Sequence, residues 1–229
     1  MEGVAVLYLH PRYAPLWLAG IMTFLLIPVR HVVAGEPAAA GGEWSLISQG
    51  NDVSIYSRVH PGGDIKEYKA VGTVAASPKV IEAVLDDVDN YTHFMPYISE
   101  CKVIKREGNT MFTYQRISPP FCTDRDYSIK VTHETKSSPA GPAYFTRWEV
   151  DNAQGPAEKA DVLRVKINEG SWLIEPGGSN TTKATYFIYT DSGGALPGWL
   201  SAKANQIAIN KLFEAIRKQA KEAKYASAG

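Results

Sequence analysis

Apolar and polar residues alternate along most of the chain after residue 50, with the period of two that is typical of β-strands. The first two alternating segments, 53–59 and 65–74, flank a Pro-Gly-Gly turn and predict a hairpin. Further strands are predicted at residues 100–106, 110–118, 124–134, 144–150, 162–176 and 183–190. Because short turns separate these segments, the pattern indicates an antiparallel meander.

Helical spacing of apolar residues occurs in four segments. Residues 44–49 predict a short amphipathic helix, and residues 90–95 another short helical piece. Ser77 and Pro78 form a helix-start signal, with Ser as the N-cap and Pro at the first helical position. The segment 199–225 contains no internal Pro or Gly and is rich in good helix formers, so it predicts one long helix that closes the chain.

The two faces of the last predicted helix differ. One stripe, suited to packing on a sheet, consists of Ala202, Ile209, Leu212, Phe213, Ile216 and Ala220. The opposite face carries Leu200 and Ile207. Three lysines, Lys203, Lys211 and Lys218, share that face. Such a face could touch an anionic membrane, or it could be an ordinary solvated face with two stray aliphatic residues.

A long sheet with a short helical insertion near its start and one long helix at its end is an α+β architecture. We expect a curved antiparallel sheet that wraps the last helix. Sheets folded in this way about a single helix leave a cavity at their centre, where apolar ligands bind. The sequence therefore predicts a single hollow domain.

The N-terminal segment is apolar and differs from the rest of the chain. Residues 13–29 carry no charge, and small residues follow them, as in a secretory signal peptide. We predict a signal peptide at 1–35 and a folded domain at 36–229, which implies a periplasmic or secreted protein. The alternative is a retained anchor in the inner membrane formed by 13–29, because 17 uncharged residues are close to the length that spans a bilayer. Arg30, directly after the apolar run, favours the anchor.

The composition excludes several functional classes. The chain has 24 basic and 24 acidic residues, so no basic field favours a nucleic acid partner. Its two cysteines, Cys101 and Cys122, could form a disulfide in an oxidising compartment, although simple hairpin register places Cys101 opposite Arg116 instead. Two cysteines without paired histidines nearby do not make a metal site, and no cofactor motif is present.

The strand predicted around residues 111–117 places two aromatic residues, Phe112 and Tyr114, on the same face as Arg116. We expect this face to point inward. An inward arginine needs a partner, because an isolated guanidinium is costly to bury and keeps its charge. The partner is either an anionic group of a ligand or a carboxylate of the protein, such as Asp124 or Glu100.

Six fragments along the chain together resemble a START domain, the lipid-transfer family related to steroidogenic acute regulatory protein, within the helix-grip superfamily. In order, the fragments are Asp52-Val-Ser-Ile-Tyr56; Ser77-Pro78 with Asp86-Asp87; Pro119-Pro-Phe121 with Arg125-Asp126; Val162-Leu-Arg164; Gly170-Ser-Trp172 with Glu175-Pro176; and Leu196-Pro-Gly-Trp-Leu200. The resemblance runs from Trp44 to about Lys218 and implies a helix-grip fold that encloses one lipid, such as a sterol or phospholipid, and carries it without chemistry.

The resemblance also implies which residues bind. Sterol-type members pair an inward carboxylate with an inward arginine, and the matching positions here hold Arg116 and Val131, so this chain departs from the pattern at both. This departure favours instead the hypothesis that Arg116 faces an anionic head group of the ligand. We assign Arg125 and Asp126 to the architecture of the loop before them. The expected ligand-binding residues are Phe112, Tyr114, Arg116, Tyr127, Ile129, Val131, Trp148, Trp172, Ile209 and Phe213.

The expected partners are a lipid ligand and, transiently, a membrane surface, with the protein acting as a monomer and without metal or cofactor. A rival function is a cavity enzyme of the polyketide cyclase or aromatase type. It would need an acid or base in the cavity, for which Tyr114, His133 and Tyr186 are the candidates. A third possibility is a membrane-tethered sensor. We expect the loops 118–123 and 151–159, with the first turns of the last helix, to open for the ligand.

Overall fold

The computed structural model describes residues 42–191, 193 and 198–226. Ten strands form one sheet. Their bounds are β1 (Ser45–Gly50), β2 (Val53–Val59), β3 (Lys66–Val74), β4 (Ile98–Glu107), β5 (Thr110–Ile117), β6 (Arg125–Ser138), β7 (Gly141–Val150), β8 (Leu163–Arg164), β9 (Ile167–Gly178) and β10 (Thr181–Asp191). The order across the sheet is β1-β2-β3-β10-β9-β7-β6-β5-β4, with all of these neighbours antiparallel.

The helices are α1 (Pro78–Asp86), α2 (Tyr91–Phe94), α3 (Gly198–Gln219) and α4 (Ala223–Ala226). The Ser77 hydroxyl accepts a hydrogen bond from the Val80 amide at 3.3 Å, which confirms the predicted helix start. The last helix is shorter than predicted, because a turn at residues 220–222 separates α3 from α4. No helix within the described ranges is long and apolar enough to cross a membrane.

The prediction of a short helix at residues 44–49 is wrong. This segment forms β1 and pairs with β2, with Leu46 opposite Tyr56. Six residues with a few apolar positions fit both periods, and an isolated helix of that length is marginal in water. Pairing with β2 provides backbone hydrogen bonds that such a helix could not match. The predicted strand 162–176 is also corrected, since it divides into β8 and β9.

The C-terminal half of α3 is fixed tightly to the sheet. Phe213 is fully buried and lies over Gly72, where a Cβ atom would come within 2.6 Å of the ring. Its ring meets Trp172 edge-on at 5.5 Å between centroids. Arg217 donates hydrogen bonds of 2.7 to 3.1 Å to backbone carbonyls of Asn51, Asp52 and Thr73. The sheet and helix therefore form the α+β architecture that the pattern indicated, and it is the helix-grip fold that the family resemblance implied.

Candidate functional site

A cavity of about 390 Å³ lies between the sheet and α3. The helix α3 contributes Ala204, Asn205, Ala208, Ile209 and Leu212 to its lining. The strands contribute mainly apolar and aromatic residues, and none of the described lining residues is Asp, Glu or Lys. Its volume falls in the range of pockets that enclose small organic ligands.

Three aromatic rings in a row, here called the aromatic stack, lie on the cavity wall; one pair is stacked and the other is tilted. The ring centroids of Trp148 and Tyr186 are 6.0 Å apart, and those of Trp172 and Tyr186 are 4.7 Å apart. Gly170 lies opposite Trp148 in the ladder, and a Cβ atom there would come within 2.2 Å of the indole. The glycine of the Gly-Ser-Trp fragment therefore leaves the space that the indole occupies.

A hydrogen-bonded series of side chains crosses the same wall. The Trp148 indole N–H donates to Oδ1 of Asn168 at 3.0 Å, and the Tyr127 hydroxyl donates to Oε1 of Gln115 at 3.0 Å. Burial strongly raises the pKa of Tyr127, while a hydrogen bond with Asn168 opposes this rise. The phenol therefore stays protonated and can act as a donor at neutral pH.

Of the expected ligand-binding residues, six line the cavity: Tyr127, Ile129, Val131, Trp148, Trp172 and Ile209. Phe213 is buried in the core beside the cavity, where it packs on Trp172 rather than forming the lining. Phe112, Tyr114 and Arg116 do not line the cavity, so their predicted inward orientation is wrong. Whether the six lining residues contact a ligand stays a prediction.

The strand β5 presents the opposite face from the predicted one. Its cavity face carries Met111, Thr113, Gln115 and Ile117. The general rule that aromatic residues are buried therefore selects the wrong face of β5 for the cavity. Phe112 and Tyr114 are indeed buried, with at most 6% exposure, but on the outer face of the sheet.

A polar network explains why Tyr114 is buried on that outer face. Its hydroxyl bonds to the carboxylate of Asp126 at 3.0 Å and lies 3.4 Å from the ammonium of Lys159. Asp126 is fully buried and forms a bidentate pair with Arg164, at 2.7 and 3.2 Å. Arg164 in turn donates to the carbonyl of Pro156. The loop between β7 and β9 is thereby fixed over the outer face of β5 and β6.

Arg116 pairs with a carboxylate of the protein. Its Nη2 and Nε atoms lie 2.6 and 2.7 Å from Oδ2 of Asp124. This is the second of the two partners that the sequence left open. The Asp124 carboxyl has a lowered pKa, chiefly through a hydrogen bond with Ser118 and then through Arg116. An anionic head group at Arg116 inside the cavity is therefore excluded by its position.

Among the described lining residues of the cavity, the arginine is Arg125, which the sequence analysis had assigned to architecture and not to the ligand site. It is 7% exposed and donates to the carbonyl of Thr123. Arg125 shares a strand face with Tyr127, Ile129 and Val131, so the alternation of β6 already held the signal. The Arg-Asp pair thus serves both faces, with Arg125 inward and Asp126 outward.

His133 and Tyr186, two of the three candidate acid–base residues, line the cavity, whereas Tyr114 lies outside it. The Nδ1 atom of His133 is 3.3 Å from the Thr146 hydroxyl, and its buried Nε2 atom is 3.8 Å from the carboxylate of Asp86. Burial lowers the pKa of His133, against an opposing effect of Asp86. In the described part of the site, the polar neighbours of the imidazole are thus Thr146 and, at a longer distance, Asp86.

The two cysteines are both free. The predicted register is off by one residue, because Cys101 lies opposite Gln115 and Glu100 lies opposite Arg116. Burial raises the pKa of Cys101 to about 12, so this thiol is unreactive at neutral pH. Within the described ranges no cluster of side chains could hold a metal ion.

The loop 118–124 forms part of the cavity rim. Pro119 and Cys122 line the cavity, while the neighbouring Phe121 is fully exposed and has a positive φ of 63°. A bulky residue in this left-handed region is uncommon, and a completely exposed phenylalanine is unfavourable in water. The loop therefore presents one large apolar side chain outward, next to the cavity.

Comparisons with known proteins agree with this geometry. The family described as polyketide cyclase / dehydrase and lipid transport matches residues 74–217, more than half of the chain. An uncharacterized protein of Pseudomonas aeruginosa is 32% identical over 74% of this chain and 81% of its own length. The phosphatidylcholine transfer protein of Mus musculus is 26% identical over 72% of this chain and 78% of its own length.

Solved structures show the same fold. A STAR-related lipid transfer protein from Xanthomonas axonopodis superposes with a TM-score of 0.69 at 23% identity, covering 78% of this chain and 99% of its own. Human STARD10 superposes with a TM-score of 0.70 at 19% identity, covering 79% of this chain and 74% of its own. The family match places the chain in the polyketide cyclase, dehydrase and lipid transport family, and the solved structures show that its fold is that of the STAR-related lipid transfer proteins.

Proposed function

We propose that the protein binds one lipid in the cavity and carries it between membranes or presents it there, without chemistry. The observation that carries this proposal is the cavity itself: about 390 Å³ beneath α3, with an aromatic stack on its wall and no acidic residue or lysine among its described lining. Burial of hydrocarbon would supply most of the affinity, at about 25 cal/mol per Å² of apolar area.

A variant whose cavity is filled by a larger side chain tests this proposal. Ala208 lines the cavity from α3, and Ala208→Trp adds an indole that takes up space a ligand would need. Glu214→Trp places the same side chain at an exposed position of the same helix and is the control. Native mass spectrometry of protein purified from its own host is expected to show one bound lipid per chain in the wild type and the control, and none in Ala208→Trp. Lipid retained equally by all three proteins would contradict binding in this cavity.

Contact with a membrane is proposed to occur through the loop 118–124. Phe121 is exposed beside the cavity-lining residues Pro119 and Cys122, so insertion of its ring into a bilayer would bring the cavity rim to the lipid surface. Phe121→Ser is expected to slow lipid transfer between vesicles while bound lipid at equilibrium is unchanged. Val59→Ser, at another exposed apolar position, is the control. Equal transfer rates for both variants and the wild type would remove this loop from the contact.

Export is the proposed role of the N-terminal segment, with the domain acting as a monomer in the periplasm or outside the cell. The prediction rests on the uncharged run 13–29 and lies outside the described residues. Intact-mass measurement of the protein from its host is expected to show loss of about the first 35 residues. A full-length chain in the membrane fraction would favour the retained anchor, and with it a tethered sensor rather than a shuttle.

A further inference from the structure

The hydrogen-bonded series on the cavity wall has a fixed direction. An indole N–H can only donate, so Trp148 requires Oδ1 of Asn168 as its acceptor. The NH₂ group of Asn168 is then the part of this amide that can donate, and Asn168 lowers the pKa of Tyr127, as a donor to its phenol oxygen would. Tyr127 donates onward to Oε1 of Gln115. The series therefore ends with the NH₂ group of Gln115.

The two polar groups at this end lack protein acceptors within the described part of the chain. Gln115 is 8% exposed and makes one side-chain hydrogen bond, through its oxygen, which leaves both N–H donors unused. Thr113 lies two residues away on the same strand face, and its fully buried hydroxyl has no partner. Buried polar groups are nearly always hydrogen-bonded, so the orphaned hydroxyl of Thr113, beside the unused NH₂ group of Gln115, requires an explanation.

A ligand oxygen that accepts hydrogen bonds would satisfy both groups. A carbonyl oxygen has two lone pairs and can accept from two donors. The donors of Gln115 and Thr113 are neutral, so an anion placed against them would lose its hydration without a matching charge from these two groups. Arg125 lines the same cavity but already donates to the carbonyl of Thr123, so Gln115 and Thr113 favour an uncharged acceptor.

We propose that Gln115 and Thr113 bind an uncharged carbonyl oxygen, of an ester or ketone, in the lipid. This inference rests on the proposed lipid-binding function and narrows its ligand class. Tyr127 is a positioning residue in this account, because it holds the oxygen of Gln115 and thereby turns the NH₂ group toward the cavity.

Two glycerol lipids that differ in one carbonyl group test the proposal. The probes are 1-palmitoylglycerol, which has an ester carbonyl, and 1-O-hexadecylglycerol, which has a CH₂ group in its place. The wild type is expected to bind the ester about threefold to tenfold more tightly, the range of one neutral hydrogen bond. Gln115→Leu and Gln115→Met are expected to bring the ratio close to one. Gln49→Leu, on an exposed edge strand, is the control and should keep the wild-type ratio.

Further measurements distinguish failure of the carbonyl subsite from failure of the lipid-binding proposal itself. Tyr127→Phe is expected to reduce the ester preference while Gln115 is still present, whereas a merely structural role would weaken both probes equally. Equal binding of the two probes by the wild type, or a preference kept in both Gln115 variants, would overturn the carbonyl subsite alone. Binding of neither probe by the wild type would contradict lipid binding itself. Tighter binding of palmitate than of the ester, with dependence on Gln115, would replace the uncharged acceptor by an anion.

Discussion

The space left by Gly170 allows a prediction whose size follows from the structure. In Gly170→Ala, the added methyl would lie 2.2 Å from Cζ2 of Trp148 and 2.5 Å from the carbonyl oxygen of Phe187. Carbon atoms normally pack at about 3.5–4.0 Å, so the indole must move by more than about 1 Å. The carbonyl of Phe187 belongs to β10, which pairs with β9 along its length, and cannot move freely.

The expected cost has two parts. Overpacking of a filled site costs about 1–3 kcal/mol. Displacement of the indole also breaks its 3.0 Å hydrogen bond to Asn168, which is worth about 1 kcal/mol. A gain of about 0.4–1 kcal/mol from the stiffer unfolded chain opposes these terms. We therefore expect Gly170→Ala to lower the free energy of unfolding by about 2–3 kcal/mol.

Urea denaturation followed by tryptophan fluorescence measures this difference. With an m-value of about 2–3 kcal/mol/M, the midpoint should fall by about 1 M. Gly50→Ala is the matched control, because a Cβ atom there meets nothing within 4 Å, and its midpoint should stay or rise slightly. A midpoint of Gly170→Ala within about 0.2 M of the wild type would show that the indole does not lie against this backbone.

Three further predictions concern the core, the imidazole and the outer face. Phe213→Ala should cost about 3–5 kcal/mol of unfolding free energy in the same assay, since the ring is fully buried between Gly72 and Trp172; a loss below 1 kcal/mol would contradict that packing. Because the pKa of His133 is lowered in the folded protein, the unfolded chain binds the proton more readily. The free energy of unfolding should therefore fall as the pH drops below about 6.5. In urea titrations, His133→Gln should show less of this fall between pH 7.5 and 5.5. Arg116→Ala should cost less than about 1 kcal/mol and leave lipid content unchanged by mass spectrometry, because its pair with Asp124 is partly exposed and outside the cavity; selective loss of anionic lipid would restore it to the site.

Short sequence signals correctly predicted those elements whose conformation is set by residues a few positions away. The hairpin of β2 and β3 and the start of α1 follow from turn residues and from the Ser-Pro cap, which act within a few positions. Segment 44–49 shows where such signals fail, because β1 is held by pairing with β2 and not by its own propensity. The period of an element can be predicted from sequence when the element is long, and β1 is too short for this.

The face of a strand is harder to predict than its existence. Alternation in β5 was correct, yet it cannot show which set of residues faces the helix. Aromatic content suggested the wrong set, since a distant loop buries Tyr114 on the outer side through Asp126 and Arg164. In β6 the same reasoning succeeded for Tyr127, because no comparable aromatic residue competes on its other face.

The two halves of α3 explain together why the interior is hollow. Phe213 and Arg217 fix the C-terminal half to β3 and to the turn between β1 and β2, and so set the height of the helix above the sheet. The N-terminal half faces the cavity with Ala204 and Ala208, one turn apart, whose side chains are too short to reach the aromatic stack. A helix held at one end by a large aromatic residue and lined at the other by alanines must leave a gap above the sheet.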